Sequence, residues 1–261
     1  MRSKMASSRM LPRLVALAGL LCVAAIAWVL LWRSAAVMSS MAGEGVLFDL
    51  MMAMMRPERT GPYAMATALM WLVMMVAMMT PAVLPVLLTF WQLDRGSPAR
   101  SAQHGVIFGV SYLLVWCGFG LLLALLQWGL HRGAVLHTHL LTAGPLVAAC
   151  LLIAAGIYQL TPLKAACLAH CQSPIAFLLS HWRDGASGAM RMGITHGSYC
   201  LGCCWALMLL MFVGGVMSVG FMALISLFML LERVLPARRW STWVPGGFLL
   251  TWGAWNLFAL R

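Results

Sequence analysis

Seven long apolar runs, separated by short polar segments that carry most of the charge, organise the sequence: 14–32, 64–91, 106–130, 140–160, 197–217, 219–235 and 244–260. A helix needs about 20 apolar residues to cross roughly 30 Å of hydrocarbon, and each run is read as one crossing. Runs five and six follow one another without a charged loop. As a single helix they would span about 55 Å at 1.5 Å per residue, so a turn is expected among Gly214, Gly215, Ser218 and Gly220. The expectation is an all-α, polytopic bundle of about seven transmembrane helices.

Lys and Arg set the orientation. With seven crossings and a cytoplasmic N-terminus, 12 of the 17 basic residues fall inside and 5 outside, as the positive-inside rule requires. The first run follows Arg2, Lys4, Arg9 and Arg13 and precedes Arg33, which reads as an uncleaved anchor rather than a signal peptide. Three regions follow: a basic N-terminus and anchor helix (1–33), an extracytoplasmic Met-rich loop (34–63), and a membrane bundle (64–261).

Composition agrees. The chain is 63% apolar and 9% charged, with mean hydropathy +0.92, whereas soluble domains are about half apolar and a quarter charged. The net charge of +11 would suggest nucleic acid in a soluble domain; here it records topology, and the lipid bilayer is the expected partner. The spans hold almost no ionisable side chain, which counts against an ion-coupled transporter. Glu232, at an inner helix end beside Arg233, reads as a solvated pair. There is neither a Walker loop nor a nucleophile elbow, and no enzyme activity is assigned.

The candidate chemistry lies around the fourth loop. Of eight cysteines, Cys22, Cys117 and Cys150 stand singly in apolar runs and read as packing residues, while five fall within 38 residues. Thr161 caps a short helix beginning at Pro162 and closed by Pro174. On it Cys167, His170 and Cys171 stand at i, i+3 and i+4, one face of the helix. After an amphipathic stretch over 175–182 and a turn at Asp184-Gly185, His196, Cys200, Cys203 and Cys204 repeat that row at the mouth of run five. Met208 and Met211 continue it inward. Two thiol-and-imidazole faces thus flank one inner loop.

Thiolate and thioether favour Cu(I), Zn or iron–sulfur, and imidazole suits Zn and Cu. Zinc normally takes four ligands, whereas the methionines, 22 in all, weigh towards Cu(I). Two alternatives remain open. Cys200 and Cys203 form a CxxC that, at a helix N-terminus, would serve thiol–disulfide exchange; or the cysteines only pack helices in a non-catalytic membrane subunit.

Met70, Met74 and Met78 share one face of run two, followed by Pro81 and Pro85, which free backbone carbonyls. The outer run MMAMM at 51–55 reads as an extracytoplasmic copper-collecting surface or a re-entrant helix. His131, His137 and His139 of the second outer loop read as solvated interfacial histidines, and Trp32, Trp91, Trp182, Trp240 and Trp243 as interface anchors.

The blocks MMVAMMTPAVLP (74–85), YQLTPLKAACLAHCQSP (158–174) and HGSYCLGCCWALMLLMFVGGVM (196–217) resemble a bacterial family of predicted metal-binding integral membrane proteins, some with copper chaperone-like roles. The resemblance covers roughly residues 45–258. It implies an inner-membrane protein with a metal site built from Cys167, Cys171, His196, Cys200, Cys203 and Cys204, and a protein partner that donates or receives copper. One departure is Ser218, where that pattern leads us to expect Asn.

Overall fold

The computed structural model describes residues 2–40, 44–58, 60–94, 96–133, 136–137, 141–235 and 239–260. The fold is all-α and 87% helical. In chain order come α1 (Arg2–Ser40), α2 (Val46–Ala53), α3 (Thr60–Leu93), α4 (Pro98–Arg132), a two-residue antiparallel ladder β1 (Leu136–His137) with β2 (Thr142–Ala143), α5 (Pro145–Gln159), α6 (Pro162–Gln172), α7 (Pro174–His181), α8 (Gly185–Leu209), α9 (Met211–Gly214), α10 (Val219–Val234) and α11 (Arg239–Phe258).

Among the described residues, four stretches are long and apolar enough to cross a membrane: Leu11–Ser40, Thr60–Leu93, Pro98–Arg132 and Gly185–Gly214. The pair α5 and α6, bent by 66° at its break, qualifies as a fifth. Runs six and seven form α10 and α11, of 16 and 20 residues, which fall short of that length or apolarity. Leucines such as Leu122 and Leu125 point outward from α4, and Phe248 and Trp255 from α11, the outer surface expected of lipid-facing helices.

Proline writes the helix starts. Ser97, Gly144, Thr161 and Ser173 each precede the proline that opens α4, α5, α6 and α7. A residue before proline is pushed out of the α region, while proline itself suits the first helical position. Thr161 adds a cap, its hydroxyl accepting from Lys164 N at 3.3 Å. That single local rule breaks α5–α6–α7 into the short segments that bring Cys171 inward.

Inside α3, Pro81 lacks the N–H that would satisfy Ala77 O. The indole of Trp28 on α1 supplies it instead, Nε1 donating to Ala77 O at 3.1 Å. Glycine admits the closest helix contacts: a Cβ at Gly193 would stand 2.4 Å from Phe108 O, so α8 lies directly on α4.

The turn expected after run five occurs at Gly215, whose φ of 95° is open to glycine. Ser218 then caps α10, accepting from Phe221 N at 3.4 Å. Asn makes the same kind of cap, so the departure at Ser218 keeps the turn.

Several expectations are corrected. Met51 and Met54 are 2% and 0% exposed and belong to the core, because α2 folds back on the bundle; the outer Met run is no open collecting surface. His131 ends α4 buried, its Nδ1 3.2 Å from Tyr63 OH. Tyr63 and Gln127 draw it inward: Gln127 Nε2 donates to Tyr63 OH at 3.4 Å and Trp71 Nε1 to Gln127 Oε1 at 2.8 Å. His137 falls in β1, and His139 lies outside the described residues. Trp91, near the end of α3, is buried against α4, donating to Ser101 O at 3.1 Å.

Candidate metal centre

Five helices meet at the cysteines. Cys171 at the end of α6 and Cys203 on α8 place their sulfurs 3.9 Å apart. Cys203 Sγ stands 3.3 Å from Cys204 Sγ and donates to Cys200 O at 3.2 Å. All four of Cys171, Cys200, Cys203 and Cys204 are buried, and all eight cysteines are free thiols. Thus the two flanks of the loop do converge, at Cys171 against the 200–204 row.

A cation and a phenol close the other side. Arg233, on α10, donates from Nη2 to Cys200 Sγ at 2.7 Å and reaches Cys204 Sγ at 3.6 Å. Its Nη1 donates to Ala82 O on α3 at 3.0 Å. Tyr112 of α4 sits with its hydroxyl 3.0 Å from Cys200 Sγ and 3.9 Å from Met79 Sδ. Tyr112 stands roughly 21 Å from the Pro98 end of α4 and 30 Å from its Arg132 end at 1.5 Å per residue.

Neither Arg233 nor Tyr112 was expected at the site, and the pairing of Arg233 with Glu232 is overturned. Adjacent helix residues point about 100° apart. Glu232 turns the other way, 2% exposed, with Lys164 Nζ 2.8 Å from its Oε2. Gln159 bonds to both Lys164 and Glu232. The signal in the sequence was a pair of opposite charges after an apolar run; that both would be buried, each against a different partner, was not written there.

The α6 row divides. Cys171 and His170 also diverge by about 100°, and Cys171 is the one whose side chain faces Cys203. His170 stays half-buried, its ring stacked on Tyr199 at 4.0 Å and 5°. Cys167 lies against Gly202, where an added Cβ would come within 2.8 Å of its sulfur, and Tyr158 OH donates to Gly202 O. His196 is 1% exposed among Phe108, Tyr112 and Phe177, and neither ring nitrogen has a hydrogen-bond partner. Met208 and Met211 are both fully buried in the same core, Met211 beyond the break that ends α8.

The helix start corrects the redox geometry. Because α8 begins at Gly185, the Cys200–Cys203 motif is about four turns inside the helix. The N-terminal dipole, which fades within the first turn, does not reach it.

Among the described residues, no group of three or more His, Cys, Asp or Glu is arranged as a ready cage for a metal ion. The donor chemistry nevertheless fits a soft ion. Two sulfurs each about 2.3 Å from one ion stand roughly 3.8–4.6 Å apart, depending on the bond angle; Cys171 and Cys203, at 3.9 Å, meet that spacing. The buried imidazole of His196 has no hydrogen bond to give up.

An all-helical bundle with membrane-length apolar helices, closed around a buried thiol cluster, defines the class of protein. Within that class, the family model PpoB2, described as copper chaperone, matches residues 68–256, and the chain belongs to that family. No curated protein and no solved structure matches it.

Proposed function

We propose that the chain is a multi-pass protein of the bacterial inner membrane that binds Cu(I) as cargo and exchanges it with a protein client. The observation that carries this reading is the 3.9 Å approach of Cys171 to Cys203. Membership of a copper chaperone family supports it. Cys171 and Cys203 hold the ion first. Cys200 and Cys204 exchange with them as the ion moves, and His196 supplies a neutral nitrogen. Cys167 borders the site over Gly202, and Met208 and Met211 receive the ion inward. Zinc is the less suitable occupant, because thioether adds little to its binding.

Arg233 gives the site its charge logic. Two thiolates around Cu⁺ leave one net negative charge, which is costly to bury unpaired. A guanidinium is always cationic and already touches Cys200. The complex is then neutral as a whole.

Seven crossings with a cytoplasmic N-terminus complete the proposal, with α10 and α11 as the short pair. The 12-to-5 distribution of basic residues supports that arrangement. A periplasm-active reporter fused after Arg261 is expected to be active; a silent, well-expressed fusion would reverse the topology.

Metal analysis of the purified full chain after growth in copper tests the function. The parent should carry copper, and C200S/C203S should lose sulfur-ligated copper. A parent without copper, showing instead a trappable mixed disulfide, would favour thiol–disulfide exchange at the same cysteines. Neither result would leave the non-catalytic packing role.

A further inference from the structure

The histidine that leaves the cysteine centre meets a second one. His170 on α6 and His181 in the last turn of α7 have ring centroids 6.4 Å apart, with their planes at 69°. Both rings are anchored alike. His170 Nδ1 lies 2.9 Å from Ala166 O, and His181 Nδ1 lies 3.1 Å from Phe177 O. A carbonyl oxygen only accepts, so Nδ1 carries the proton in each neutral ring and each Nε2 keeps its lone pair. Ser180 Oγ also approaches His181 Nδ1 at 2.8 Å, while bonding to Ala176 O and Phe177 O; its proton is directed to a carbonyl, so the tautomer stands. A histidine whose second nitrogen is fixed on a carbonyl is set up as a metal ligand.

The spacing suits one ion between the rings. An ion about 2.0–2.1 Å from each of two Nε2 atoms, on a straight line, separates the imidazole centroids by about 6.3 Å. Ring stacking holds the planes, His170 on Tyr199 at 4.0 Å and His181 on Phe177 at 4.8 Å. Among the described residues no third His, Cys, Asp or Glu completes a cluster with them. Zinc, which wants four ligands, is poorly served. A monovalent soft ion that accepts two ligands needs no more donors than this pair offers.

We propose that His170 and His181 form a two-nitrogen port for Cu(I), from which the ion passes to the cysteine centre. This rests on the copper reading above. The port and the centre lie back to back: His170 precedes Cys171 on α6, and Tyr199, which His170 stacks on, precedes Cys200 on α8. In the transfer the ion leaves two neutral nitrogens for two sulfurs, and the two thiol protons are released to water. The pair also explains why His170 lies outside the thiol cluster.

The test uses the full chain in detergent, titrated with Cu(I) buffered by a competing chelator and read by X-ray absorption. C200S/C203S should retain one equivalent with a two-coordinate, nitrogen-only spectrum. Adding H181Q or H170Q should remove that equivalent, and H181Q alone should cost the parent one of its two. The port is overturned if C200S/C203S holds no nitrogen-ligated copper, or if the equivalent survives H170Q/H181Q. Absence of sulfur-ligated copper in the parent would instead overturn the proposed function, and the nitrogen-only signal would still decide the port.

Discussion

Lys164 and Glu232 face one another at 2.8 Å with side chains only 0% and 3% exposed, tying α6 to α10 directly behind the cysteine centre. A buried pair is weak evidence for net stability, because desolvation offsets most of the attraction. Removing one partner is different: it leaves an uncompensated charge. E232A is therefore expected to cost about 3–5 kcal/mol, read as a lower thermal midpoint of the purified protein in detergent. K164M/E232L, which removes both charges, should recover most of that loss. A double variant as unstable as E232A would show that the pair is not what α6 and α10 depend on.

The Trp28–Ala77 bond yields a second prediction. W28F should leave the carbonyl freed by Pro81 unpaired and cost about 0.6–1.5 kcal/mol. In a P81A background α3 regains its own N–H donor, so the same W28F change should cost less. Unfolding of the four proteins in a double-mutant cycle measures the difference. Equal costs in both backgrounds would mean that Trp28 acts by packing alone.

Arg233 makes a third. R233M should weaken Cu(I) binding tenfold or more, equivalent to about 1.4 kcal/mol, because the buried anionic complex loses its counter-charge. R233K keeps the charge but not the fork that serves Cys200 and Ala82 together, and should fall between. Competition with a Cu(I) chelator reads both. If R233M binds as tightly as the parent, the charge argument fails.

These relationships show which parts of the chain were readable. Proline and glycine acted locally, so the breaks at Thr161, Ser173 and Gly215 could be placed from single residues. The i, i+3, i+4 spacing puts the thiols of α6 on one face and those of α8 on one face, because helical periodicity depends on nothing outside the helix; that Cys171 then meets Cys203 is set by how α6 packs on α8. It was less selective than it looked: a row about 100° wide carried His170 away from the centre that took Cys171. Arg233 and Tyr112 were not legible. Each is one polar residue among others on its helix, Arg233 beside Glu232 on α10 and Tyr112 between Ser111 and Gln127 on α4, and its partner is decided by how α10 and α4 rotate against α8. The start of α8 was misjudged because Met190, Ile194 and the glycines around them alternate with Arg191 and His196, which diluted the apolar signal over 185–196.

In the proposed site, the methionines are what separates copper from zinc. Met208 and Met211 are fully buried, so any change there acts first on packing. Leucine preserves volume, and such a swap usually costs under about 1.5 kcal/mol; M208L/M211L should remain folded and well expressed. It should nonetheless bind Cu(I) more weakly than the parent, since two thioethers leave the soft ligand set. Zinc binding, which gains little from thioether, should not change. C200S/C203S should lose sulfur-ligated copper whatever the methionines do, because the thiolates are the anionic donors. Thiol–disulfide exchange predicts the opposite pattern: the serine changes would remove a trappable mixed disulfide, and the leucine changes would be silent. Chelator competition with Cu(I) and with Zn(II), run on the parent and both variants, separates these cases. A parent and an M208L/M211L variant with the same Cu(I) affinity would remove the methionines from the copper path.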